Sequence, residues 1–313
     1  MHAAQTRPQG PRGLRLFVRR AIREKYLMLL LIPGLVYYLL FHYMPMYGVV
    51  IAFQNYKLSS SIGNAPWVGL RWFGEFFRSF YFGRLMRNTL LISLYNLVFG
   101  FPIPIVFALI LHEMRGSLYK RVVQTISYLP HFISTVVVVG MLQTMLSTTD
   151  GVINNLLRAS GHNAVSFFTE PRWFRTLYIG SGIWESFGWS SIIYLAALSN
   201  ADPELYEAAR IDGANRWHLV LHVSLPCILP TVIILLIMQL GRTMSVGYEK
   251  IILMYTPSTY EVADVISTYV YRRGIEGGQF SFGAAVGLFN SPGGQYLQPP
   301  PERHQSMVRR ASE

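Results

Sequence analysis

Long uncharged runs, rather than alternating residues, dominate this chain. Tyr26 to Phe53 carries no Asp, Glu, Lys or Arg. Asn88 to Leu111, Val122 to Thr149 and Leu219 to Gly241 are equally free of charge, and Thr176 to Asn200 holds one acid, Glu185. A helix rises about 1.5 Å per residue, so about 20 apolar residues cross about 30 Å of hydrocarbon. All these runs are long enough. A sixth starts at Phe282 and stops after Phe289-Asn290. A membrane barrel would alternate apolar and polar positions, whereas Met28–Ile32 and Val136–Val139 are continuous. Helices close their backbone hydrogen bonds internally, so in lipid they are the expected spanning element. The pattern predicts an all-α membrane protein, a polytopic helical bundle with about five complete spans and a truncated sixth.

Composition weighs against the alternative, a set of buried helices in a water-soluble protein. Charged residues are 14% of the 313 residues, where soluble domains have about 25%. The net charge of +11 suits nucleic acid or a membrane protein with basic ends, and the position of the charges decides for the second. Residues 1–25 hold Arg7, Arg12, Arg15, Arg19, Arg20, Arg23 and Lys25 against one Glu. A basic tail before a first span stays cytoplasmic. The run after it is too long for a cleaved signal peptide and lacks an Ala-x-Ala site. The expected organisation is a cytoplasmic tail (1–25), a first span (26–53), an outer loop (54–87), a membrane core (88–290) with a cytoplasmic loop at 201–226, and a polar tail (291–313). The outer loop fits the charge rule poorly, because it carries five Lys/Arg. Arg84 and Arg87 sit at a span edge, where they are expected to snorkel. The short 112–121 loop, with Arg115, Lys120 and Arg121, is expected inside. A single cysteine excludes a disulfide framework and a cysteine-based zinc cluster.

The segment from Asn200 to His218 reads as helix, turn, helix. Asp202 is placed to cap, Pro203 suits the first helical position, and Glu204 faces the positive end of the helix dipole. Gly213 is placed to end the helix in a left-handed conformation. A second short helix is expected from about Asn215 toward Leu225-Pro226. Leu205, Ala208 and Ala209 share a face, and the alanines leave it shallow enough for another surface to approach. An ordinary amphipathic helix lying on the membrane has the same local pattern.

The wider spacing separates these readings. Glu207-Ala208-Ala209, then Gly213, then Val223-x-Leu225-Pro226 resembles the EAA signature of ABC importer permeases, departing from it only at Val223. Pro45-Met-Tyr-Gly-Val-Val-Ile-Ala-Phe, Tyr128-Leu-Pro-His and Gly247-Tyr-Glu-Lys look like segments of the carbohydrate permeases of the multiple-sugar importer group, in its lipoprotein-type permease subgroup. The likeness runs from about residue 20 to Asn290. It implies a type-1 transmembrane permease subunit of a binding-protein-dependent sugar importer in a bacterial plasma membrane. Glu207, Ala208, Ala209, Gly213, Leu225 and Pro226 would then form a coupling helix and its anchor. The implied partners are cytoplasmic ATP-binding subunits, a second and different permease, an extracytoplasmic solute-binding lipoprotein and the bilayer. No nucleic acid and no cofactor is expected. No Gly-x4-Gly-Lys-Ser/Thr loop occurs in the chain, so ATP chemistry is expected in another polypeptide and this subunit is not expected to be an enzyme.

The solute path is read from polar residues inside the spans. Glu185 stands as the lone acid of its run, between Trp184 and Trp189. The rings suit stacking on sugars and the carboxylate suits sugar hydroxyls. The competing assignment, slightly favoured, puts the tryptophans in an interfacial belt and pairs Glu185 with the second permease. Gln239 and Asn96 are further candidates, and Arg242 is expected to snorkel at the outer edge of its span. Pro102 and Pro104 predict a bend in the second span. His218 and His222 have metal-ligand spacing on a helix but no third ligand, so surface histidines are expected. No His-Glu-x-x-His or Gly-x-Ser-x-Gly occurs, which disfavours a membrane hydrolase. A secondary transporter would show inverted repeats with broken helices, and none is visible. The signature reports the motor and not the cargo, so the same architecture with a non-sugar solute stays open. The resemblance also implies a complete last span. Here three consecutive prolines at 299–301 and a polar composition after Asn290 predict a disordered tail, as a truncated or frame-shifted reading frame would give.

Overall fold

The computed structural model describes residues 25–59, 61–114 and 116–295. The basic residues before Lys25, Arg115 and the tail from 296 onward lie outside them. Among the described residues there are no strands, only an isolated bridge between Gln54 and Trp67. Eight principal helices build the bundle: α1 (Leu29–Phe53), α2 (Phe82–Glu113), α3 (Ser117–Phe132), α4 (Thr135–Met145), α5 (Pro171–Ser199), α6 (Pro203–Ile211), α7 (Arg216–Gly241) and α8 (Phe280–Gln295). Among the described residues α1, α2 and α7 are each long and apolar enough to cross a bilayer. The long α5 is not in that group, because its serines, arginines and Glu185 dilute its hydropathy.

The third predicted run, Val122 to Thr149, is not one straight helix. It is α3 and α4, bent by 99°. Pro130 tightens the end of α3 into a 3₁₀ turn, Leu129–Phe132. Ser134 then starts a new helix, its hydroxyl accepting from the Val137 amide at 3.4 Å. The Tyr128-Leu-Pro-His segment is thus the corner. The helix expected from Asn215 is also not separate. It begins at Arg216 and runs on without a break as α7. The last helix continues to Gln295, beyond the point where its apolar residues end.

Prolines shape the helices in a repeated way. Wide π turns occupy Leu39–Tyr43, Asn96–Gly100 and Val220–Ser224, and Pro45, Pro102 and Pro226 each stand two residues further on. A helical proline has no N–H, and its ring collides with the carbonyl four residues back. Those carbonyls belong to Phe41, Val98 and His222. All three sit inside the widened turn, which moves them off the ring. The predicted bend at Pro102 therefore takes the form of a π turn beginning at Asn96. Pro33 and Pro230 lie within α-helical stretches instead.

One buried cluster, Ile105, Ala108, Leu109, Tyr194, Leu198 and Ile228, packs α2, α5 and α7 together toward α6, and the rest of the side-chain core gathers at the opposite end. There Phe76, Leu85, Ile266, Tyr269, Phe282 and Val286 form one buried cluster, and Ile92, Ile251, Met254 and Val265 belong to a second. The segment 242–281, read from sequence as a loop, contains the short helices Glu249–Met254 and Ile266–Val270. Ile266–Val270 continues through a π turn to Glu276 and meets α8 backbone to backbone. A Cβ on Gly283 would stand 2.7 Å from the Gly274 Cα, so only paired glycines allow this approach.

A buried polar network fastens the same end. Asp264 is fully buried. Arg272 holds it at 2.7 Å and Arg84 at 3.3 Å, and the Thr268 hydroxyl donates to it at 2.8 Å. Asn88 donates to the Glu261 and Asp264 carbonyls at 2.9 and 3.0 Å and accepts from Arg175 at 3.0 Å. Arg84 is therefore not a snorkelling edge residue. A partner 180 positions away captures it.

Replacing one member of a buried ion pair leaves the other uncompensated, typically a loss of about 3–5 kcal/mol. Asp264→Asn is expected to lower the detergent-solubilised melting temperature by several degrees. Arg172→Gln, which breaks the exposed pair with Glu170, is expected to leave it unchanged.

Candidate functional site

The predicted signature folds into a short exposed helix at one end of the bundle. Asp202 caps α6 by accepting from the Glu204 amide at 2.9 Å, and Pro203 opens the helix. At the other end Gly213 has φ +84°. The Ala214 amide reaches back to the Ala209 carbonyl at 2.9 Å and the Gly213 amide to Arg210 at 3.1 Å. This is a Schellman stop. Asn215 then caps the start of α7, accepting from the His218 amide at 2.9 Å. Two capped helix ends and an αL glycine leave little freedom in the short turn between Ile211 and Arg216.

One side-chain contact completes the attachment. The Tyr206 and Ser224 hydroxyls lie 3.0 Å apart, and the Tyr206 ring stands 5.7 Å from that of His112 at the end of α2. Burial pushes the Tyr206 phenol above its ordinary pKa, against the opposing hydrogen bond from Ser224. Ser224 closes the π turn that precedes Leu225-Pro226, so the two halves of the signature meet through this pair.

The outward side of α6 is apolar and uncovered. Leu205 is 51% exposed, Ile211 86% and the following Trp217 74%. Ala208 is exposed between them, and Glu207 beside it has free solvent access, while Ala209 turns partly inward. The face is thus Leu205, Ala208 and Ile211. His218 and His222 stack at 5.7 Å, and among the described residues no group of metal-ligating side chains exists.

The polar candidates inside the helices separate into two groups. Asn96 and Gln239 come together with Arg242 in the walls of two cavities of about 320 and 180 Å³. Trp184, Glu185 and Trp189 line neither. Glu185 has a partner within this chain: Lys250 donates to it at 3.2 Å. Lys250 belongs to the Gly247-Tyr-Glu-Lys segment, and burial pushes its ammonium down while Glu185 pulls it up. Trp189 stacks on His131 at 4.7 Å, and Trp184 is exposed. Sequence reading missed Ser186, Ser190 and Tyr194, which face the larger cavity. Their spacing of four on α5 is the available signal. Arg242, expected at the outer edge of its span, stands exposed just past the end of α7 and also borders both cavities.

Residues 100–289 match the family model described as binding-protein-dependent transport system inner membrane component. The polygalacturonan/rhamnogalacturonan transport system permease protein YteP of Bacillus subtilis (strain 168) is 44% identical over 89% of this chain and 87% of its own. The lactose transport system permease protein LacF of Rhizobium radiobacter is 31% identical over 61% of this chain and 64% of its own. In the crystal structure of a bacterial ABC transporter that imports the acidic polysaccharide alginate, one chain superposes with a TM-score of 0.86 at 43% identity, covering 96% of this chain and 100% of that one. The alginate transporter in complex with an alginate pentasaccharide-bound periplasmic protein gives 0.84 at 42%, over 94% and 98%.

Gly213 has open space where a Cβ would sit, so Gly213→Ala meets only the left-handed backbone penalty, about 1–2 kcal/mol. Tyr206→Phe loses about 1 kcal/mol of hydrogen bonding. Both are expected to speed amide exchange at 203–219 and leave the protection of α2 unchanged, as read by hydrogen-exchange mass spectrometry.

Proposed function

From the premise that the chain belongs to the binding-protein-dependent transport system inner membrane components, we propose that it is the permease subunit of an ATP-driven importer for oligosaccharides. Relatives of the chain carry polysaccharide and oligosaccharide transport names, and the apolar helices make it a membrane protein. The cargo arrives on an extracytoplasmic binding protein, as in the alginate complex. A second permease completes the pathway, and separate cytoplasmic subunits hydrolyse ATP.

The observation that carries this reading is the capped, uncovered α6. Its Leu205–Ala208–Ile211 stripe suits a cleft on an ATP-binding subunit, and Glu207 stands at the stripe's margin for a polar contact. Closure of the ATPase pair pulls on α6. The Schellman stop and the Tyr206–Ser224 pair pass that displacement to α7 instead of dissipating it in a loose loop. α7 and α2 wall the cavities that hold Asn96 and Gln239, so a tilt of α7 reshapes the solute path. In this arrangement α6 faces the cytoplasm, the basic N-terminal segment lies on the same side, and the 54–81 and 242–264 segments face outward.

Uptake and ATP hydrolysis by the assembled complex in proteoliposomes test the assignment. Glu207→Lys and Gly213→Pro are expected to insert normally and keep ATP hydrolysis, while oligosaccharide uptake falls about tenfold, a loss of roughly 1.4 kcal/mol of coupling. Wild-type uptake by both variants would remove α6 from the coupling path.

A further inference from the structure

Much of the wall of the smaller cavity, about 180 Å³, comes from the chain just past α7. Thr243, Ser245, Val246 and Gly247 line it, facing Leu97 of α2 and Tyr178 of α5. Residues 242–247 are turns and irregular backbone. They form a strap that starts where α7 ends at Gly241 and runs into the short helix Glu249–Met254. Neutral contacts steady its middle: the Ser93 hydroxyl donates to the Thr243 carbonyl, and the Ser267 hydroxyl to the Val246 carbonyl. Its far end is held by charge. Lys250 donates to Glu185 at 3.2 Å, and the two side chains are only 13% and 20% exposed. Tyr178, Gly182 and Glu185 share one face of α5 by their spacing. The Lys250 ammonium lies along that face, 5.8 Å from the centre of the Tyr178 ring, and a Cβ on Gly182 would touch it at 3.6 Å.

Anchoring alone does not call for these charges. Ile251 and Met254 are buried on the same short helix, and Gln143 of α4 donates to the Leu253 carbonyl at 3.2 Å. Taking two ions out of water offsets most of their attraction, and an apolar pair of similar volume often serves stability as well. What an ion pair adds is a directional tie, strong when closed and lost once its partners separate. The strap hangs between two helices. One end follows α7, the helix that α6 displaces, and the other is tied to α5. A tilt of α7 therefore loads the tie.

We propose that Glu185 and Lys250 are positioning residues that latch the strap across the outer mouth of the smaller cavity, and that solute enters this cavity from outside only when the latch opens. This rests on the permease reading above and adds an outer gate to it.

Leu97 borders this cavity but not the larger one, so a cysteine there reports its opening. In cells carrying the complete complex with Cys227→Ser and Leu97→Cys, a membrane-impermeant maleimide applied outside is expected to label slowly. Lys250→Met is expected to speed labelling about tenfold, the size of one charged contact. Lys250→Arg, which keeps the pair, is expected to stay near the parent rate. Ala108→Cys, at a fully buried position, is expected to stay unlabelled in every variant, which separates an opened gate from a loosened fold. Should Lys250→Met fail to assemble, Glu185→Gln carries the same expectation. An assembled latch variant that labels Leu97→Cys no faster than the parent, or that labels Leu97→Cys and Ala108→Cys alike, overturns the inference. Oligosaccharide uptake by the wild-type complex is measured alongside. Uptake with unchanged labelling removes the gate and leaves the permease reading standing. If no saccharide enters, the permease reading falls and this inference with it.

Discussion

The contact between the Tyr206 and Ser224 hydroxyls, together with the left-handed stop at Gly213, is what the functional account depends on. Without them α6 would hang from the membrane helices on a flexible tether, and a pull on it would be absorbed by the turn. With them, α6 and the first turns of α7 share one backbone path and one cross-contact. The exposed apolar stripe of α6 then has a reason to exist. An isolated helix of this length is unstable in water, so its order comes from its caps and from its attachment to the bundle.

The rest of the architecture follows from the need to satisfy backbone groups in hydrocarbon. The π turns at Leu39–Tyr43, Asn96–Gly100 and Val220–Ser224 each sit where a proline would otherwise strike a helix carbonyl. One of them starts at Asn96 and another ends at Ser224, so the same device shapes a cavity wall and the attachment of α6. Polar side chains at depth are paired where they serve structure, as Asp264 is with Arg84 and Arg272. Arg242, exposed just past the end of α7, stands outside that pattern.

Much of this was legible in the sequence because it is local. Asp202, Pro203, Gly213 and Asn215 act within a few residues of themselves, and the chemistry of caps reads directly from residue type and spacing. The first, second, fourth and fifth apolar runs each fall within a single helix for the same reason. What escaped is set by distant pairing. Nothing near Arg84 announces Asp264, and nothing near Glu185 announces Lys250, since each pair joins segments far apart in the chain. The corner between α3 and α4 carried a signal in Leu129-Pro130 and Ser134, but continuous hydropathy across it concealed the break. Asn96 and Gln239 were picked out for polarity alone. Their meeting with Arg242 required the fold.

The central claim, that α6 docks on a separate motor, is tested most directly by cross-linking. In a Cys227→Ser background, single cysteines at Leu205, Ala208 and Ile211 in the assembled complex are expected to capture the ATP-hydrolysing subunit. A cysteine at Arg210, off the stripe, should do so less efficiently. Failure of all three stripe positions to capture that subunit, or their modification by a membrane-impermeant reagent applied only from outside the cell, would contradict the account.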